Sequence, residues 1–148
     1  LIAPDANLLI YAYAPSDPNH AASKTWLEGI LSGPELVGIP IQTIYAFLRV
    51  VTNPRSTIIP LTFGNAAHAV NAWLEMPHVR LLYPGDRHWE LLQRLSEKVR
   101  LNGPQITDAA IAAIAMEYDA VIHTNDRDFA RFPGLRWLNP LERPSKAR

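Results

Sequence analysis

The sequence predicts an α/β fold with a central parallel sheet of four to five short strands. Three observations point to it. Short apolar runs alternate with longer stretches whose apolar residues fall at helical spacing, the pattern of strand–helix units. Proline or glycine stops most of the runs after a few residues. Acidic residues stand just beyond two of the runs and at the start of one helix, where such sheets place their sites. At 148 residues with 48% apolar content, the chain has the size and the apolar mass for one domain with a real core.

Leu1–Ala3 reads as a buried strand, ended by Pro4, which cannot donate to a ladder. Ala6–Tyr13 is apolar enough for a short helix, and Pro15-Ser16-Asp17-Pro18 is a turn. A helix follows from Asn19 or His20 to about Leu31, with Ala22, Trp26, Leu27 and Ile30 on one stripe, until Ser32-Gly33-Pro34 stops it. Leu36–Ile39 is the second strand. Pro40 suits a helix start, and Ile44, Phe47, Leu48 and Val51 share a face of the helix from Ile41 to about Thr52. Ser56–Pro60 reads as a loop, and a helix runs from about Thr62 to Leu74. Val79–Leu82 is the third strand. Pro84-Gly85-Asp86 turns the chain, with Asp86 as expected N-cap of a helix to about Val99. Asn102-Gly103-Pro104 reads as the break before an alanine-rich helix from about Thr107 to Tyr118. Strands Ala120–His123 and Leu135–Leu138 follow, with a helical turn near Asp128–Phe132 between them. Residues 1–140 are expected to form the single domain and 141–148 a loose tail.

Composition removes several function classes. There is no cysteine, so disulfides and thiolate zinc sites are excluded. No apolar run approaches the roughly 20 residues of a membrane span, and the first residues turn acidic at Asp5, so neither a span nor a signal peptide is expected. A cytoplasmic location fits. The formal net charge of zero gives no support to a strongly basic nucleic-acid binder. His20, His68, His78, His88 and His123 show no zinc spacing and read as surface or packing residues. No phosphate-binding GxxxxGK[ST] loop or GxSxG nucleophile elbow occurs.

What remains is a set of aspartates. Asp5 follows the first strand, Asp108 is expected in the first turn of its helix, and Asp126 and Asp128 follow the fourth strand. Each has an ordinary reading: an N-cap for Asp5, a dipole-stabilised charge for Asp108, turn residues for Asp126 and Asp128. Caps alone do not easily explain acids at several such places in one α/β chain. All-oxygen donors favour Mg²⁺ or Mn²⁺ over zinc. Such an ion commonly activates water for phosphodiester hydrolysis.

The stretches PDANLLIYA, IPIQTIYAFLRVVTNPR, DAAIAAIA and TNDRDFARFPGLRWLNPL together resemble the PIN-domain family, specifically the VapC toxins of bacterial toxin–antitoxin pairs. The resemblance spans nearly the whole chain. It implies a three-layer PIN-like fold with helices on both faces of the sheet. It also implies Mg²⁺- or Mn²⁺-dependent endoribonuclease activity, a VapB-type antitoxin and a homodimer. Carried over, Asp5, Asp108 and Asp126 would be metal ligands and Asp128 a further catalytic acid. Thr124 and Asn125 would shape the supporting loop. Arg49 and Arg55 are candidates for RNA phosphate contact.

One position departs from the family pattern. A glutamate usually precedes the Phe-Leu-Arg run; here it is Ala46. Gln42, one helical turn earlier, is neutral, and Glu117 is about half a turn out of phase with Asp108, so it should face away. The expectation is a ribonuclease toxin. Its rivals are a DNA-acting nuclease of the same fold and a weakened, non-catalytic binding module.

Overall fold

The computed structural model describes residues 1–56 and 60–142. Part of the expected Ser56–Pro60 loop, and all of the expected tail beyond 142, lie outside them.

Five parallel strands form the sheet: β1 (Ile2–Pro4), β2 (Val37–Pro40), β3 (Val79–Leu82), β4 (Val121–His123) and β5 (Trp137–Leu138), in the order β3-β2-β1-β4-β5. The chain builds outward from β1 to β3, then crosses back to place β4 on β1's other side. The strand order therefore reverses between β1 and β4. At such a switch point the loops leaving two neighbouring strands diverge and open a crevice at their carboxyl ends.

Six helices cover the sheet: α1 (Ala6–Ala12), α2 (His20–Ser32), α3 (Ile41–Val51), α4 (Phe63–Leu74), α5 (His88–Lys98) and α6 (Pro104–Glu117). A 3₁₀ turn spans Arg127–Arg131. Successive side chains of a strand point to opposite faces. Ile2 accordingly joins a core with Leu9, Leu27, Ile44, Phe47, Val51 and Trp73 from α1 to α4. Its neighbour Ala3 joins a second core with Leu91, Leu95, Ile111, Ala112, Ile122 and Phe129. These two cores, one on each face of the sheet, make the three-layer architecture expected of the sequence. Phe47 and Trp73 meet edge-to-face at 4.9 Å between centroids, an arrangement favoured by aromatic quadrupoles. Of the other tryptophans, Trp26 and Trp137 pack partly buried against the two cores, and Trp89 is exposed.

Two local expectations are corrected. α6 begins at Pro104, three residues before the expected start. Proline is favoured in a helix's first turn because its missing N–H is an orphan there anyway. Gly103 turns the chain into it at φ 56° and ψ −125°, a conformation open mainly to glycine. Asp86 does not cap α5; Arg87 holds that position without a side-chain bond. The turn is satisfied from elsewhere: the Glu117 carboxylate accepts from the Gly85 and Arg87 amides at 2.8 and 3.1 Å. Glu117 thus faces away from Asp108, as its helical phase requires.

A candidate acidic cleft at the switch point

Asp5 leaves β1 with its side chain 7% exposed. One carboxylate oxygen accepts from the Ala6 amide at 2.8 Å, so the cap reading is correct as far as it goes. The other accepts from the Thr124 hydroxyl at 2.7 Å, across the β1–β4 boundary. Burial pushes the Asp5 carboxyl above its ordinary value, and Asp126 nearby adds to this; the bonds from Thr124 and Ala6 oppose it.

Thr124 is the hub of this wall. It is fully buried, donates to Asp5, and accepts from the Asp126 amide at 2.9 Å and more weakly from Asn7 Nδ2 at 3.4 Å. The Asp5 amide donates to the His123 carbonyl at 2.9 Å, locking the two strand ends in register. Thr43 of α3 donates to the Pro4 carbonyl at 3.0 Å. The Asp126 carboxylate accepts from the Asp128 amide at 2.8 Å and so caps the 3₁₀ turn. Asn125 accepts from Asn139 Nδ2 at 2.7 Å, tying its loop to the segment after β5.

Opposite stands Asp108. Because α6 starts at Pro104, Asp108 lies in the second turn, and the expected stabilisation by first-turn amides is lost. Among the described residues no donor bonds its carboxylate. Its carboxyl is pushed up to about 6, first by burial, then by the charges of Asp5, Asp126 and Asp128, with Arg131 pulling the other way.

These groups border one cleft of about 590 Å³, lined by Asp5, Asn7, Ala46, Arg49, Asp108 and Asp126 among others. Asp128 and Arg55 are not among its lining residues. Asp128 is exposed and pairs with Arg131 at 3.2 Å, reaching the cleft only through its charge. Arg55 is exposed on the loop after α3. Arg49 does line the cleft, and among the described residues it has no carboxylate partner. Ala46 lines it too, so the position where the sequence pattern expects a glutamate faces the acids. Three of the five histidines bond within the frame: His20 and His78 to the carbonyls of Tyr11 and Ile30, and His123 accepts from Trp26 Nε1 at 3.0 Å; His68 is exposed.

Asn7 was not expected here. Its Oδ1 is buried and, among the described residues, has no partner. The signal in the sequence was a lone amide in the apolar run of α1, two residues after Asp5. Among the described residues, no three acidic, histidine or cysteine side chains stand in a ready-made coordination cage. The donor chemistry nonetheless suits a hard divalent cation: carboxylate oxygens with raised proton affinity, one unbonded, and an orphaned amide oxygen beside them.

Comparison with known proteins agrees with the geometry. The PIN domain family matches residues 2–135. Ribonuclease VapC33 of Mycobacterium tuberculosis is 38% identical over 141 residues, covering 95% of this chain and 99% of that protein. VapC ribonuclease Mb2897 of Mycobacterium bovis is 40% identical over 138 residues, covering 93% and 94%. Among solved structures, VapBC2 from Rickettsia felis, bound to a DNA fragment from its promoter, shares the fold. Its TM-score is 0.66 at 18% identity, over 93% of this chain and 97% of that one. The chain therefore belongs to the PIN-domain family and, within it, to the VapC toxins of type II toxin–antitoxin systems.

Proposed function

We propose that this chain is an endoribonuclease toxin dependent on Mg²⁺ or Mn²⁺. One observation carries the reading: aspartates from the end of β1, from α6 and from the end of β4 line a single cleft at the sheet's switch point. Asp5, Asp108 and Asp126 would hold the ion. Bound there, it would supply Lewis acidity and an activated water for attack on an RNA phosphate. Thr124 fixes the orientation of Asp5, and Asn125 anchors the loop that carries Asp126. Asp128 contributes negative charge from the rim. Arg49, which lines the cleft, would hold a phosphate oxygen, and Arg55 would contact the strand further out. Two curated relatives bear the name ribonuclease, which supports RNA as the substrate.

A VapB-type antitoxin is the proposed partner, as in the VapBC complex whose fold the chain shares. A homodimer is the proposed assembly and the cytoplasm the proposed location. Among the described residues no helix is long and apolar enough to cross a membrane. Ala46 on the cleft wall supports a second reading, a binding module with weakened catalysis.

The test uses labelled RNA and DNA of one sequence with Mg²⁺. RNA is cut, DNA is not, and Asp108→Asn lowers the rate by about a thousandfold or more, the scale of a lost catalytic group. Preferential DNA cleavage would shift the assignment to a DNA-acting nuclease. RNA binding without Mg²⁺-dependent cleavage would establish the binding module.

A further inference from the structure

Beside the acidic cleft lies a smaller hollow of about 210 Å³, lined by Gln42, Tyr45, Ala46, Arg49 and Thr107. Ala46, Arg49 and Thr107 line both spaces, so the two adjoin. Position 46 carries only a methyl group where they meet; a longer side chain there would stand between them.

The lining is unusual for ordinary surface. Tyr45 leaves 64% of its area exposed on a helix whose other large apolar side chains are at least partly buried. Gln42 Oε1 is buried and, among the described residues, bonds to nothing. A polar atom left so costs stability, and no bond holds the amide against turning toward a ligand. Arg49 stands at the junction without an acidic partner among the described residues.

We propose that this hollow is a nucleobase subsite, which takes one unpaired base of the RNA next to the phosphate held in the acidic cleft. The proposal rests on the ribonuclease reading above. Tyr45 offers an aromatic face on which a base stacks. Gln42 offers an acceptor and a donor side by side, the pattern that matches a base edge. Arg49 lies between the base and the acids, where the intervening phosphate must pass. The chain has no net positive charge, so stacking and edge contacts carry selectivity that a basic groove would not supply.

The experiment uses a pool of short single-stranded RNAs, with all four bases at each position around the cut, and Mg²⁺. The wild-type chain prefers one base at one flanking position. Tyr45→Ala lowers kcat/KM for that preferred substrate by about tenfold or more. Gln42→Leu flattens the preference at that position by about tenfold and leaves the other positions alone. Gln42→Glu keeps the volume but removes the amide's donor, so the favoured base changes, an outcome that partial unfolding does not produce. Wild-type cleavage without base preference, or variants whose rates fall equally on every RNA, would overturn the subsite while leaving the ribonuclease reading standing. A wild-type chain that neither cuts nor binds RNA would overturn both.

Discussion

The two walls of the cleft are built on opposite plans. On the β1–β4 wall the acids and the threonine are already engaged: both Asp5 oxygens by Ala6 and Thr124, one Asp126 oxygen by Asp128, and the Thr124 hydroxyl by three polar groups. On the α3–α6 wall Asp108, Arg49 and Gln42 Oε1 have no bonded partner among the described residues, and position 46 has no functional group. The first wall fixes geometry before anything binds. The second holds its groups ready for whatever enters. Strand ends carry the fixed wall because neighbouring strands are held in register by backbone bonds, whereas two helices facing across a crevice share no such ladder.

The largest expected effect comes from removing charge on the fixed wall. Asp5→Asn abolishes Mg²⁺-dependent cleavage, by about a thousandfold or more, while the melting temperature stays level or rises. Burial already disfavours the Asp5 charge, so the neutral amide relieves a cost even as it removes a proposed ligand. A melting curve beside a cleavage assay checks both; a marked loss of stability would mean that the Asp5 charge supports the fold itself.

Thr124→Val should act in the opposite sense. Valine keeps the shape but leaves the Asp126 amide, Asn7 Nδ2 and an Asp5 oxygen without their partner. Buried polar groups stripped of a bond cost about 1–3 kcal/mol. Denaturant unfolding should show that loss, and kcat/KM should fall about ten- to a hundredfold, as when the group orienting a metal ligand is removed. Unchanged stability would place the Thr124 bonds outside the fold's needs.

These contrasts bear on what the sequence could disclose. The acids that follow strands were legible because strand ends are local patterns, and Asp5 and Asp126 stand just beyond β1 and β4. The sheet and its two covered faces were legible because strand and helix periods differ. Long-range satisfaction was not. Asp86 looked like a cap, yet Glu117, far along the chain, bonds that turn's amides. Pro104 looked like a stop and is a start, which moves Asp108 one turn deeper and reverses the expected sense of its titration. Asn7 and the Gln42 hollow depend on which helices face each other, and apolar periodicity does not encode that.

The pH response distinguishes the walls through Asp108. Its carboxyl titrates at about 6 in the folded chain, above the unfolded value of 3.8. The folded state then binds the proton more tightly, so this group favours folding at low pH. That contribution is lost as pH rises from about 4 to about 6, in the absence of divalent ions. Mg²⁺ competes with the same proton, so its affinity should rise with pH across the window and level off above it. A titration at pH 5 should show binding about tenfold weaker than at pH 7, and Asp108→Asn should reduce that dependence, leaving the part due to the buried Asp5. A flat profile in the wild type would mean that Asp108 does not hold the ion.

The smallest effect, and the sharpest comparison of the walls, comes from Ala46→Glu. The new carboxylate would project from α3 into the cleft, giving the open wall a second acid beside Asp108. Ligand charge count tunes affinity for hard cations, so Mg²⁺ should bind about tenfold more tightly, readable by calorimetry. Without the ion, four acids repel where three did, and the melting temperature should drop; Mg²⁺ should restore it. The rate at saturating Mg²⁺ separates the remaining alternatives. A rise of only a few fold means that Asp5, Asp108 and Asp126 already complete the working site and that alanine costs affinity alone. A rise of a hundredfold or more means that the open wall lacks a group the chemistry needs. The same glutamate would stand at the junction with the hollow beside Gln42 and Tyr45, so any base preference should weaken as Mg²⁺ binding tightens. Affinity and selectivity would then be traded at a single position, with the methyl of Ala46 keeping the passage open.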